Sequence, residues 1–496
     1  MTDYRIRFYH NKETAPLNEL YEFHKVLDNW SSDPAIIEEK IFHGDLMSGL
    51  NHTADNQTAG YGILPHMPHV MDSLSVRQTK PYSRYNYLNN AVYDFDDPEL
   101  QHCDIFIINA DVLVYLTDDE VEKMLNIDAP IYLDATFEAF VFQYYYPILK
   151  LFTDKYNARG KVTLLVGSNK YESISNFDQA FENYTGVKVK YIDFFRINET
   201  LVGTSGCSQN HSDKIMSSVI TPEIITKNFY AEKTKDFLCL NNRPRFHRMC
   251  LIEKLRELGL LENNFVSRRW QYPAKKHIVQ PLIAELLGVK NHSPRLLDEL
   301  RIFGETPHSL TKKLEQFPEQ IIIPEYEETN DAPIKDNTSD LLDDRSFSPT
   351  VYEKSHYTIA VETYYESSFI DSYPAVLVEM AHQDHRAFLT EKVYKPIQFG
   401  HMFIPFGMRG TMKALEDLGF KNFHEEFNCD NTYDWAEDNT TRYEAFIKII
   451  SNFDKSRIND NTLEKILHNY NLFYSKEDIL NYIDNFFENV KWPEAN

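Results

Sequence analysis

Short apolar runs alternate with longer amphipathic segments through the first half of the chain. The alternation predicts a parallel sheet, because strands of such a sheet are buried on both faces and are joined by helices. The predicted strands are Tyr4–Tyr9, Cys103–Asn109, Pro130–Leu133, Lys161–Val166 and Val187–Phe195. The predicted helices are 117–125, which opens with the capping box Thr117-Asp118-Asp119-Glu120, then 137–152 and 174–184.

A second series of the same kind begins near residue 237. Its predicted strands are Phe237–Leu240, Tyr357–Glu362 and His401–Phe406, and an apolar run also ends at Thr390-Glu391-Lys392. Its predicted helices are 247–258, 411–418 and a C-terminal segment with one apolar face, 463–490. The predicted fold class is therefore α/β, with two Rossmann-like domains and a C-terminal helical tail.

These patterns predict the following domain organisation. The N-terminal domain covers residues 1–230 and contains a long polar loop or insertion around 44–101. The C-terminal domain covers 231–462 and contains an acidic loop at 325–348, and 463–496 forms the helical tail. Residues 226–235 are predicted to connect the two domains.

Composition narrows the class of protein. Hydrophobic residues make up 42% and aromatic residues 14% of 496 residues, which is enough to fill sizeable cores. Five scattered cysteines without a CxxC pair indicate reduced thiols in a cytoplasm. No apolar run is long enough to span a membrane, and the N-terminus lacks the layout of a signal peptide. The net charge of −24 argues against general, non-specific binding of nucleic acid but leaves room for a local basic groove.

Basic residues cluster at one predicted strand-to-helix turn. Arg243, Arg245 and Arg248 follow Asn241 directly after the strand Phe237–Leu240. Arginines beside the positive end of a helix form an anion site suited to a diphosphate. The competing interpretation is a solvated basic helix start whose arginines pair with carboxylates.

The segment from residue 388 to 423 carries the second group of candidates. Glu391 is a candidate for both ribose hydroxyls, while Lys392 and Lys395 are candidates for phosphate oxygens. Gly407 and Gly410 are expected to let the backbone approach a ligand at the start of the following helix. The competing interpretation is a salt-bridged surface turn before an ordinary helix.

Five stretches in the second half resemble, in order, the C-terminal half of a family of phage and viral glycosyltransferases. They read FLCLNNRPRFHRMCLIEKL, YTIAVET, FLTEKVYKPI, PFGMRGTMKALEDLGFKNF and TYDWAEDNTTRYEAF. That family is in turn similar to the α-fucosyltransferase-like enzymes. The resemblance covers about residues 236–450, and the TEK-x-x-KP element with the downstream GF-K-x-F is its most specific part.

The resemblance implies the glycosyltransferase-B architecture, in which two Rossmann-like domains face each other and the C-terminal one binds the nucleotide-sugar donor. By position, Arg248 and Lys392 would contact the donor phosphates, Glu391 would hold the ribose and Glu362 would line the sugar side of the pocket, with Thr390 beside them. Val361-Glu362-Thr363 replaces the Glu-Asn-Ser of the fucosyltransferases, so the donor base and sugar do not transfer. The helical tail would cross back to the N-terminal domain.

Glycosyl transfer needs stabilisation of the leaving diphosphate and, in an inverting enzyme, a base for the acceptor hydroxyl. Arginine and lysine can meet the diphosphate charge, so no metal or other cofactor is predicted. Asp134 and Glu138 are the candidate bases, since they follow the predicted strand Pro130–Leu133. The alternative roles are an N-cap for Asp134 and a first-turn helix residue for Glu138.

Other motifs are better explained by ordinary structural roles than by ligand binding. The DxD at Asp94-Phe95-Asp96 is predicted to be a polar turn, and the histidine pairs His66/His69 and His382/His385 lack a clear third metal ligand. Neither GxGxxG nor a P-loop motif occurs at a strand-to-helix junction.

Two functional hypotheses follow. The first is a glycosyltransferase whose acceptor is a glycan, a lipid-linked sugar or a hydroxylated base in phage DNA, acting in the cytoplasm, or in the host cytoplasm if the gene is a phage gene. The second is a non-catalytic protein that binds nucleotide sugars or carbohydrates. Turnover of a nucleotide sugar would distinguish them.

Overall fold

Two parallel β-sheets, one in each half of the chain, organise the computed structural model. The structure describes residues 6–9, 91–92, 95–98, 100, 103, 105–110, 113, 116–135, 141–167, 169–170, 177–193, 196, 220–241, 245–267, 297, 300–315, 349–362, 365, 386–475 and 478. The predicted insertion around 44–101 and the predicted acidic loop at 325–348 lie mostly or wholly outside this set.

The first sheet has six strands, and every neighbouring pair is parallel. The strands are β1 (Ile6–Tyr9), β2 (Ala91–Val92), β3 (Ile105–Asn109), β4 (Ile131–Ala135), β5 (Val162–Val166) and β7 (Lys188–Tyr191), while β6 (Asn169–Lys170) lies outside this sheet. The helices of this half are α1 (Asp118–Leu125), α2 (Val141–Lys155) and α3 (Phe177–Thr185). The spatial order of the strands is β2-β1-β3-β4-β5-β7.

The second sheet has four parallel strands in the order β9-β8-β10-β12. They are β8 (Lys235–Cys239), β9 (Phe265–Val266), β10 (Ser355–Val361) and β12 (Met402–Phe406), with β11 (Arg386–Ala387) outside the sheet. The helices are α4 (Pro222–Tyr230), α5 (Phe246–Glu257), α6 (Pro307–Glu315), α7 (Pro349–Glu353), α8 (Glu391–Gln398), α9 (Thr411–Asp417), α10 (Thr432–Trp435), α11 (Asn439–Ser451) and α12 (Asp460–Tyr474).

Both sheets are wound in the same way. In each, the second strand lies on one side of the first and the later strands lie on the other side. The chain therefore leaves β8 in one direction to β9 and later returns to the opposite side at β10. Ligands of open α/β sheets bind beside the carboxyl ends of the strands where the order reverses, which in the second sheet is the crevice between β8 and β10.

Each sheet has a hydrophobic core of its own. Every residue of β4 and of β12 is buried, as expected for parallel strands covered on both faces. The predicted α/β class with Rossmann-like parallel sheets is thereby confirmed. In the part of the chain that the structure describes, no helix combines the length and the apolar character needed to cross a membrane.

Local signals explain where several helices begin. The predicted capping box is present at α1, where the Thr117 hydroxyl accepts from the Glu120 amide and the Glu120 carboxylate accepts from the Thr117 amide. The first part of the predicted connection 226–235 is helical, because residues 222–230 form α4. Thr221 is its N-cap and Pro222 its first residue, a combination that favours helix initiation.

Three other boundaries differ from the predictions. Strand β4 continues to Ala135, so Asp134 lies inside the strand instead of following it. The short strand β2 lies within the predicted loop 44–101 and pairs with β1. Thr390-Glu391-Lys392 does not end a strand, because Thr390 is the N-cap of α8 and its hydroxyl accepts from the Lys392 amide.

The C-terminal tail begins as predicted with an amphipathic helix. α12 starts with a capping box made by Asn459 and Thr462, and it contacts α4 and α8. Of the residues that follow Ser475, the structure describes only Asp478, so most of the predicted continuation to residue 490 lies outside the described residues.

A two-stranded antiparallel ladder joins the two halves. Strand β6 follows β5, and it pairs with β11, which precedes α8; Arg386 is opposite Lys170 and Ala387 is opposite Asn169. The carboxyl edge of the first sheet is therefore connected to the segment that leads into α8.

Gly400 provides a test of the packing at the end of α8. It has a φ of +60°, and a Cβ built on it would lie 2.4 Å from Ile225 Cδ1 of α4. We expect Gly400→Ala to lower the free energy of unfolding through the left-handed backbone, about 1–2 kcal/mol, plus overpacking, about 1–3 kcal/mol. Urea denaturation measures the loss.

Gly259→Ala is the matched control, because Gly259 has a φ of +69° but no atom within 4 Å of a built Cβ. It should show only the backbone part of the loss. Equal losses for the two variants would contradict the close contact with Ile225.

Candidate functional site

The candidate site lies at the crevice between the carboxyl ends of β8 and β10. Asn241 follows β8, Glu362 follows β10, and α5 and α8 begin near these strand ends. Asn241, Arg248, Glu362 and Thr390 are all buried. The structure thus brings together residues that are up to 149 positions apart in the sequence, counted from Asn241 to Thr390.

Glu362 is the residue around which this site is built. It is 1% exposed, and its amide donates to the Phe406 carbonyl at 2.9 Å. Its own carbonyl accepts from Arg248 Nη2 at 3.0 Å and lies 3.1 Å from His247 Nε2. Because a carbonyl only accepts, the His247 proton must be on Nε2 for this contact to be a hydrogen bond.

The side chain of Glu362 holds the start of α8. Its Oε1 accepts from the Thr390 amide at 3.0 Å and its Oε2 from the Thr390 hydroxyl at 2.5 Å. The Thr390 oxygen in turn accepts from both the amide and the ammonium of Lys392, each at 3.3 Å. The hydroxyl therefore uses its single proton and both lone pairs.

Arg248 and Lys392 consequently converge on one residue from two different helices. Arg248 is in the first turn of α5 and contacts the backbone of Glu362, while Lys392 is in the first turn of α8 and contacts Glu362 through Thr390. Both side chains carry positive charge at neutral pH. Because both contact Glu362, directly or through Thr390, Arg248 and Lys392 lie at the same edge of the sheet.

The turn after β8 supplies further groups of the predicted anion site. Asn241 is fully buried, its amide donates to Ser267 Oγ at 3.0 Å and its Nδ2 lies 3.2 Å from Cys239 Sγ. Its buried Oδ1 has no hydrogen-bond partner among the residues that the structure describes. Arg245 is half-buried and is the N-cap of α5. A guanidinium has no acceptor, so this N-cap side chain cannot satisfy the first-turn amides of the helix.

Gly407 is required for packing around Glu362. A Cβ built on it would lie 2.9 Å from Thr411 Oγ1 and 3.0 Å from Glu362 Cβ. Its carbonyl accepts from Arg442 Nη2 at 2.5 Å. The buried Arg442 guanidinium also lies 4.7 Å from the centre of the Tyr365 ring, and this ring stacks on His247. The absence of a side chain at Gly407 is thus explained by contacts within the protein.

The predicted approach of a ligand to the helix that follows Gly410 is wrong. The amides of Met412 and Lys413 at the start of α9 donate to the two carboxylate oxygens of Asp434, at 3.0 and 3.1 Å. Gly410 itself has a φ of +79°, which explains the glycine. A side chain of the protein therefore occupies the position that the sequence interpretation assigned to a ligand.

The remaining predicted residues have the following places. Lys395 is half-buried in α8, and Glu391 is the first residue of that helix, although its side chain lies outside the described residues. Asp134 is 1% exposed within β4. Arg243 and Glu138 lie outside the described residues, so their predicted roles stay predictions.

The alternative metal motifs add nothing at this site. Asp96 of the DxD pairs with Lys123 at 2.7 Å in a turn, in agreement with the polar-turn interpretation. The two histidine pairs are outside the part of the chain that the structure describes. Within that part, no group of three or more His, Cys, Asp or Glu residues is arranged to hold a metal ion.

Sequence interpretation missed several residues of this site. His247 and Arg442 lie inside the quoted motifs but were given no role, and Asp434 was also quoted without one. Arg442 is a charged residue on the apolar face of α11, and such a position is a signal that a long-range polar contact is present.

No protein-family model, curated protein or solved structure matches the chain. The resemblance to phage and viral glycosyltransferases therefore stays a prediction from the quoted motifs.

The Thr390 hydroxyl provides the first test of this site. Thr390→Val keeps the shape of the side chain but removes the hydroxyl that donates to Glu362 Oε2 and accepts from Lys392 Nζ. We expect the free energy of unfolding to fall by about 1–3 kcal/mol, because the lost hydrogen bond to Glu362 is buried. Thr390→Ser keeps the hydroxyl and should lose less. No loss for Thr390→Val, or a loss smaller than that of Thr390→Ser in chemical denaturation, would contradict the role of the hydroxyl.

Asp434 provides a test of pH dependence. Burial raises the pKa of its carboxyl from 3.8 to about 6, although Met412, Lys413 and Arg442 act in the opposite direction. A carboxyl whose pKa is raised by folding binds its proton more tightly in the folded state. It therefore contributes most stability below pH 4, and that contribution is lost as the pH rises through 6.

Asp434→Asn removes this titration. We expect the free energy of unfolding of the wild type, minus that of Asp434→Asn, to increase by about 1 kcal/mol between pH 8 and pH 5. Other carboxylates titrate in both proteins and cancel in the difference. A difference that stays constant, or that decreases toward pH 5, would contradict the raised pKa.

Proposed function

We propose that this protein is a glycosyltransferase that moves a sugar from a nucleotide-diphosphate sugar to an acceptor hydroxyl. The observation that supports it best is the convergence of Arg248 and Lys392 on Glu362 at the crevice between β8 and β10. Nucleotides bind at this position in open α/β sheets. Two cations from separate helices suit the two phosphates of a diphosphate better than they suit a single charge.

The diphosphate would bind across the first turns of α5 and α8. Arg245, Arg248, Lys392 and Lys395 would neutralise its charge, and the first-turn amides of α5 would donate to its oxygens. These groups stabilise the leaving group as the bond to the sugar breaks, which is the main electrostatic requirement of the reaction. The predicted ribose contact of Glu391 is part of this proposal.

Glu362 takes a positioning role in this proposal. Both of its carboxylate oxygens accept from Thr390, and its exposed fraction is 1%. A carboxylate held in this way fixes the N-cap of α8, and with it Lys392. A sugar hydroxyl, as the resemblance implies, would have to share these two oxygens with Thr390.

The acceptor would enter from the N-terminal half, as in the glycosyltransferase-B architecture. The ladder between β6 and β11 supports this arrangement, because it ties the carboxyl edge of the first sheet to the segment that enters α8. In the reaction, the acceptor oxygen forms a bond to the anomeric carbon. The bond from that carbon to the phosphate oxygen breaks, its electron pair leaves with the diphosphate, and the acceptor proton passes to a carboxylate. Asp134 and Glu138 are the candidates for that base.

The test is a thermal-shift screen of nucleotide sugars, followed by an assay for release of nucleoside diphosphate with glycan, lipid-linked and hydroxylated-DNA acceptors. Stabilisation by one nucleotide sugar together with turnover would support the proposal. Stabilisation without turnover on any acceptor would favour the non-catalytic binder. No stabilisation by any nucleotide sugar would contradict both.

Lys392 provides the residue-level prediction. We expect Lys392→Ala to weaken the binding of inorganic pyrophosphate and of UDP, GDP and ADP by about tenfold or more, since it removes a charge-assisted contact. Isothermal titration calorimetry measures the change. Lys312→Ala, which removes an exposed lysine of α6, is the control and should bind like the wild type. Equal affinities for all three proteins would remove Lys392 from the site.

A further inference from the structure

A buried carboxylate from the N-terminal half reaches the helix that carries Lys392. Asp193 follows β7 and is 2% exposed. Its Oδ2 accepts from the hydroxyl of Tyr394 in α8 at 2.6 Å, and its Oδ1 accepts from the Arg196 amide at 3.1 Å. Tyr394 is fully buried. The contact joins residues that are 201 positions apart in the sequence.

The surroundings of this hydrogen bond belong to both halves. The Arg196 guanidinium lies 5.3 Å from the centre of the Phe420 ring and donates to the Leu472 carbonyl at 3.4 Å. The Tyr394 ring packs beside Phe420 and Phe473, with ring centres 6.2 and 5.6 Å apart. Asp193 and Arg196, which follow β7, therefore contact α8, the turn after α9, and α12.

Helix α8 is consequently held at two points by two different parts of the protein. Its N-cap, Thr390, is bound to Glu362 of the C-terminal half, and Tyr394, one turn later, is bound to Asp193 of the N-terminal half. Lys392 lies between these two anchors and Lys395 directly follows the second. Because a short helix moves as a rigid body, a shift of Tyr394 would also shift Lys392.

We infer that Asp193 and Tyr394 are positioning residues for the diphosphate-binding lysines of α8. This inference rests on the proposed function, since it concerns the same anion site. The N-terminal half thus completes a site whose cations all come from the C-terminal half. The hydrogen bond acts through Lys392 and does not touch the donor.

A double-mutant cycle with inorganic pyrophosphate tests this inference. Tyr394→Phe removes the hydroxyl but keeps the ring between Phe420 and Phe473. We expect it to weaken pyrophosphate binding about three- to tenfold in the wild-type background and to have a smaller effect in Lys392→Ala, where only Lys395 of the two lysines remains to be displaced. A merely structural role would lower affinity by the same factor in both backgrounds, and that result would overturn the inference.

Tyr470→Phe is the matched control. Its hydroxyl also makes a long-range hydrogen bond, to the Ile220 carbonyl, but Tyr470 belongs to α12 and its partner does not belong to α8. Its affinity for pyrophosphate should equal that of the wild type. A loss as large as that of Tyr394→Phe would show a general loosening and would overturn the inference.

The outcomes also separate this inference from the proposed function. If the wild type binds pyrophosphate and Tyr394→Phe binds it equally well, the positioning role is wrong while the donor site stands. If the wild type binds neither pyrophosphate nor any nucleoside diphosphate, both are wrong. Should Tyr394→Phe fail to fold by circular dichroism, Asp193→Ala, which removes the acceptor of the Tyr394 hydroxyl, decides in the same cycle, with the same expected dependence on Lys392.

Discussion

The candidate site depends on one constraint, which is the burial of the polar groups of Glu362 at the end of β10. Glu362 buries a carboxylate and a carbonyl at that point, and a buried charge is tolerated only when hydrogen-bond donors surround it. Thr390 supplies donors to the carboxylate, and Arg248 supplies one to the carbonyl. The starts of α5 and α8 are thereby fixed relative to one strand. A cation in the first turn of each helix then has a defined place.

The same constraint extends outward through packing. Glu362 needs Gly407 beside it, because a Cβ there would approach within 3.0 Å. Arg442 holds the Gly407 carbonyl and stacks on Tyr365, which covers His247. Each of these residues contacts the next one around the end of β10, and His247 contacts Glu362 again. A substitution at one of them is therefore expected to alter the contacts of the others. Interactions within such a network are not additive.

The sequence allowed the strands and the main cations of the site to be predicted. It did not show which side chains bind the amides at the starts of the helices. The strand-end argument holds for Arg248, which follows β8, but not for Lys392, because β11 lies outside the parallel sheet. Thr390 was misplaced at the end of a strand, since an N-cap threonine and a strand-end threonine look alike in sequence. The hydrogen bonds from the first-turn amides of α9 to Asp434 were not predicted. Asp434 lies 21 and 22 residues from these amides, which is too far for a local sequence pattern to indicate the contact.

The acidic character of the whole chain bears on how this site would attract a donor. At a net charge of −24 the long-range field repels a diphosphate, but at physiological salt that field decays over about 8 Å. Binding must then come from short-range contacts, and a buried guanidinium is well suited to them because little water screens it. Arg248 is 3% exposed. Its Nη2 donates to the Glu362 carbonyl, which is a dipole and not an anion. Backbone and hydroxyl oxygens thus hold two cationic side chains at this crevice in an otherwise acidic protein.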